Sequence, residues 1–240
     1  MERYTFEKAT DEANKIKDKI IDGKANNYLE AESIIESENK DRILKKIGIE
    51  KREDGKLILY HATSANNLAK ILDREEILPS SETGNKSWRV VGEDNVEKMS
   101  KIYLAKKNKI ESIAEAIRTF SGGSMYILEV AVDEEDLLPD EDTGVDTWLE
   151  SLAISSDSKS NFGGSCSHKG GIRNFTIHKK LPYELPRNRV IYYINKDTGN
   201  QSESLHKKFI AEIKENEEKE KLLLEDRISK FEIFNARNSN

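Results

Sequence analysis

The sequence predicts an α+β fold, a core of short strands each followed by a helix, with helical segments at both ends. Three observations carry that expectation. Apolar residues recur at helical spacing without a proline from Asp11 to Ile49, short apolar runs bounded by Gly, Ser and Asp clusters take over after Glu53-Asp54-Gly55, and helical spacing returns from Ser202 to Phe234. The expected boundaries are a helical region over 1–52, a core over 53–200 and a helical tail over 201–240. One domain-sized core with additions suits a chain of 240 residues.

In the first region Ile16, Ile20 and Ile21, then Ile34 and Ile35, then Ile43, Leu44 and Ile47 mark narrow stripes on charged segments. They predict two or three helices, with Gly23 and Gly48 as stops. Leu57 to His61 reads as a strand, Thr63 or Ser64 as an N-cap, and Leu68, Ile71 and Leu72 as the buried stripe of a short helix. Lys101 to Ala105 repeats the pattern, followed by a helix carrying Ile110, Ile113, Ala114 and Ile117. Met125 to Val132 is a nearly unbroken apolar run, the signature of a central buried strand, with Glu129 as its one charged member. Residues 155 to 174, dense in Ser, Gly and Asn, read as a long loop, and Phe175 to His178 and Arg189 to Ile194 as two further strands.

The formal charge is −6, from 39 Lys and Arg against 45 Asp and Glu, so bulk electrostatics give no general attraction to nucleic acid or to an anionic membrane. One cysteine, Cys166, rules out an intrachain disulfide and fits a reducing compartment. No apolar stretch approaches the ~20 residues that span a bilayer, and Met1 to Ala13 lacks the apolar core of a signal peptide. The expectation is a cytoplasmic protein, acting in the producing cell or in a target cell reached by dedicated secretion, with no membrane partner.

The chemistry concentrates in two strings. Leu59-Tyr60-His61-Ala62-Thr63-Ser64 is a strand ending in a histidine, a small residue and two hydroxyls at a helix start. A histidine there can hydrogen-bond a ribose hydroxyl while free helix N–H groups meet a polar ligand. Ile102-Tyr103-Leu104-Ala105 follows downstream, again ahead of a helix. Zinc is not expected, because Cys166, His168 and His178 lack the paired spacing of structural sites, and Cys166 with His168 has no third group to orient a nucleophile.

Taken together the two strings resemble the ADP-ribosyltransferase superfamily, in its diphtheria-toxin-like branch with a His, Tyr and later acidic signature. Tyr60, His61, Ala62 and Thr63 match its Tyr-His-Gly-Thr string, with Ala62 in place of glycine, and Ile102 to Ala105 match its Val-Tyr-Leu-Thr string, with Ala105 in place of a hydroxyl residue. The resemblance covers residues 57 to 194. It implies a split antiparallel β-sheet and NAD⁺ as substrate, with His61 on a ribose and the Tyr103 ring on the nicotinamide. On the same reading His61, Ala62, Thr63, Ser64, Trp88 and Tyr103 bind the dinucleotide, Trp88 because the loop Ser80 to Gly92 joins the two motif-bearing units.

Smaller members, resembling rifamycin-modifying enzymes, place the acid soon after the strand that follows the tyrosine helix. Here Asp133 to Asp142 follows Met125 to Val132, and Pro139 turns the chain, so Asp140 and Asp142 are the expected catalytic acids; Glu184 falls in a proline-flanked turn. Lys86, Arg89 or Arg173 could meet the pyrophosphate. The implied function is mono-ADP-ribosyl transfer to an acceptor, a protein rather than a nucleic acid, as a toxin, phage effector or resistance enzyme. Two alternatives stand beside it: an RNA 2′-phosphotransferase-like enzyme, kept alive by Arg173 and His178, and a non-catalytic binding module on the same scaffold.

Overall fold

In the computed structural model, which describes residues 14–15, 17–83, 100–154, 163–196 and 202–238, the chain divides into two units, Met1–Gly48 and Ile49–Asn240. The first is helical. Residues 17–21 end a helix at a turn through Gly23, whose φ is 67°. The helix α1, Tyr28–Ile47, then starts at Asn27, whose side chain accepts the Glu30 N–H at 2.9 Å, while Glu30 Oε2 accepts the Asn26 N–H at 2.8 Å. The first bond satisfies a donor that a helix start leaves orphaned, and the second ties the residue ahead of the cap back to the first turn. Gly48 closes α1 in the left-handed conformation, φ 78°, its N–H donating to Leu44 and Lys45.

The second unit is built on an antiparallel sheet, of seven strands among the described residues, in the order β5-β6-β3-β2-β4-β7 with β1 paired to β2. Its elements are β1 Glu50–Lys51, β2 Leu57–Ser64, α2 Ala65–Arg74, the short α3 Ser80–Thr83, β3 Lys101–Ala105, α4 Lys107–Ser121, β4 Gly123–Val132, β5 Leu137–Pro139, α5 Trp148–Ala153, β6 Ser165–Lys169, β7 Phe175–Glu184, α6 Arg187–Lys196 and α7 Ser202–Asn238. The central pair is β2 with β4, registered over the whole length of β2 from Leu57↔Val132 to Ser64↔Met125. Both strands are apolar on both faces, as a doubly covered strand must be.

On one face Tyr60, Ala105, Met125, Ile127 and Leu181 pack with Ile110 and Ala114 of α4. On the other, α2 and α7 lie over β4 and β7: Phe231 of α7 stacks on Phe175 of β7 at 4.8 Å, and Arg227 of α7 pairs with Asp73 of α2 at 2.7 Å. The charged tail segment is thus part of the same unit as the sheet, with Leu224 and Phe231 buried at 1% and 7% exposure.

Two expectations are corrected. Arg189 to Ile194 lies within the helix α6 and is not a strand. Pro186 presets the helical φ just ahead of it and accepts the N–H groups of Arg189 and Val190, while Arg189 and Tyr193, one turn apart, both bond Glu212 of α7. The β-branched and aromatic composition gave way to that tertiary tether. The stretch 155–174 is not all loop either, since β6 pairs β3 on one side and β5 on the other; residues 155–162 lie outside the described set. No helix among the described residues is long and apolar enough to cross a membrane.

Truncating Phe231 removes its stack on Phe175 from a closed interface. Phe231→Ala is expected to cost about 3–5 kcal/mol, read as a loss of stability in urea unfolding. Unchanged unfolding would mean that α7 is not part of the core.

Candidate functional site

Along its β3 side β2 is covered unevenly. Glu50 and Lys51 of β1 register with Ile58 and Leu57, and Tyr60 registers with Ala105. Among the described residues that is the one registered pair between β2 and β3, although β3 is fully paired to β6 on its other side, from Lys101↔Lys169 to Ala105↔Ser165. Among the described residues the two strands therefore part after Tyr60, leaving His61–Ser64 and Ile102–Leu104 as facing edges without a ladder between them. Backbone polar groups on such edges need partners from side chains, water or a ligand.

His61 is the first β2 residue past the parting, and its Nδ1 lies 3.0 Å from the Tyr103 carbonyl oxygen. A carbonyl only accepts, so Nδ1 carries the proton and Nε2 is left as an acceptor in the neutral ring. Burial lowers the His61 pKa from the ordinary histidine value, against the pull of the Tyr103 carbonyl, which favours the protonated form. By strand alternation Tyr103 leaves β3 on the side of Lys101 and Ala105, and His61 leaves β2 on the side of Leu59. Because Tyr60 pairs with Ala105, the two side chains leave on opposite faces of the sheet rather than into one shared cleft, and contact between the two residues is made at the Tyr103 carbonyl, across the gap.

The Tyr103 hydroxyl donates to Glu141 Oε2 at 3.1 Å, and the other carboxylate oxygen of Glu141 is ion-paired with Lys101, two residues before the tyrosine and on the same side of the strand. Burial, and then the Glu141 charge, push the tyrosine pKa well up, so its hydroxyl keeps its proton. Burial pushes the Glu141 carboxyl up, but Lys101, backbone N–H donation and Tyr103 outweigh it, and the group lies below the usual carboxylate value. Glu141 is ionised at neutral pH.

Glu141 sits between the two anticipated aspartates. Asp140 is turned inward at 5% exposure: its Oδ2 accepts Ser165 Oγ–H at 2.6 Å and its Oδ1 the Asp142 N–H at 3.1 Å. Its own N–H donates to Ser151 Oγ at 3.0 Å, and its carbonyl accepts from Thr143 Oγ1. Asp140 thereby caps the turn Glu141–Thr143 and fixes it to β6 and α5. Asp142 is exposed on that turn. The carboxylate brought to Tyr103 is that of Glu141.

Of the remaining anticipated residues, Thr63 is buried, Ala62 half-buried, and Ser64 caps α2 by accepting the Asn67 N–H at 3.4 Å. Trp88, Lys86 and Arg89 lie outside the described residues. Arg173 is paired with Glu76 at 3.2 Å. His178 lies 3.6 Å from Glu129, whose carboxylate also accepts the Tyr60 hydroxyl. Glu184 is the last residue of β7 rather than a turn residue, and bonds Arg118 at 2.8 Å. Cys166 is fully buried, its thiol pKa pushed up by burial and then by Asp140, which makes it a poor nucleophile. No group of three metal-ligating side chains occurs among the described residues. Sequence reading missed Glu141 and Lys101; the period-two spacing of Lys101 and Tyr103 was the available signal.

No family model matches the chain, and no curated protein or solved structure does.

Two outcomes follow from this geometry. Burial depresses the His61 and His168 pKa values in the folded chain, so protonation favours the unfolded state. Their stabilisation is complete above the unfolded value near 6.5 and is lost as pH falls below it, by no more than about 1.4 kcal/mol each at pH 5.5. Urea unfolding at pH 7.5 and 5.5 should show that loss, and His61→Gln with His168→Gln should shrink it; an equal loss in the double variant contradicts the assignment. Asp140→Ala removes a cap and strands the Ser165 hydroxyl and Asp142 N–H. A cost of about 1–3 kcal/mol in the same assay is expected, and a cost near zero rejects the bracing role.

Proposed function

We propose that this chain binds NAD⁺ in the gap between β2 and β3 and transfers its ADP-ribose to an acceptor. The observation that supports the reading is the parting itself: past Tyr60, the segment His61–Ser64, which includes the rest of the matched string Tyr60 to Thr63, has no strand on its β3 side among the described residues. On this reading the parted antiparallel sheet is the split sheet that the family implies. The neutral His61 ring accepts a ribose hydroxyl at Nε2, and edge groups of Ala62 to Ser64 that have no strand partner among the described residues meet the amide of nicotinamide.

Chemistry assigns the acid. As the bond from the nicotinamide nitrogen to ribose C1′ breaks, its electron pair leaves on nicotinamide and positive charge grows on the ribose. Glu141, ionised and held by Lys101 and Tyr103, supplies the opposing charge; the acceptor then forms its bond to C1′ and gives up a proton. We assign the third catalytic role to Glu141, with Asp140 as the residue that positions its turn. A protein acceptor and a cytoplasmic place of action go with this reading.

The test is nicotinamide release from NAD⁺ by the purified chain. Glu141→Gln is expected to lower it by ~10²-fold or more with folding unchanged, and Asp142→Asn to leave it within a few-fold. Equal activity in Glu141→Gln and the parent overturns the acid assignment. NAD⁺ binding without release in the parent would identify a binding module instead.

A further inference from the structure

We draw no further inference here: the strongest candidate, the Tyr60–Glu129–His178 side-chain cluster across β2, β4 and β7 on the α4 face of the sheet, turns its polar groups on one another, and nothing in the structure shows what covers it.

Discussion

The hydrogen bond from the His61 imidazole to the Tyr103 carbonyl is the point on which the site depends. β2 and β3 would lose backbone pairing wherever they separate, and the cost of a bare carbonyl at the start of the gap falls away when a side chain takes it. That single bond fixes which ring nitrogen is protonated, and it ties the histidine to the neighbouring strand. Everything beyond it, the open edges and the Tyr103–Glu141–Lys101 cluster, is arranged around a sheet held together on its outer sides. The pairing of β2 to β4 and of β3 to β6 is continuous, so the opening between them costs the fold little cohesion.

The acid cluster shows how a site can be assembled from residues of unequal duty. Asp140 spends its carboxylate on Ser165 and the Asp142 N–H, and its backbone on Ser151 and Thr143. Its neighbour Glu141 is thereby pointed at Tyr103 and Lys101. A carboxylate already saturated by neutral donors inside the protein is a poor candidate to meet a growing charge; one that is half open to water and ionised is a good one.

Much of the fold was legible in the sequence. Short apolar runs and turn clusters marked β2, β3 and β4, and Ser64, Gly23 and Gly48 acted as the punctuation their chemistry suggests. Less legible were features fixed by distant partners. Arg189 to Ile194 reads as a strand by composition, yet Glu212 and Pro186 make it helical. Ser165 to Lys169, poor in apolar residues, is a strand because β3 and β5 present edges on both sides. In the site, His61 and Tyr103 were visible as strand-end residues. Among three successive acids, the one that faces the tyrosine was not, because a 3₁₀ turn is aimed by tertiary bonds that local spacing does not encode.

The two rims of the sheet have a bearing on how copies of this chain meet. β5 is three residues long and ends in Pro139, which has no N–H to offer a neighbour. β7, on the far rim, is longer, but it carries Lys179, Lys180 and Pro182 and its register shifts twice against β4. Neither rim presents a long, flat, unpaired row of donors and acceptors, so strand-to-strand recruitment of a second molecule, the first step toward fibrillar association, finds no template at either end.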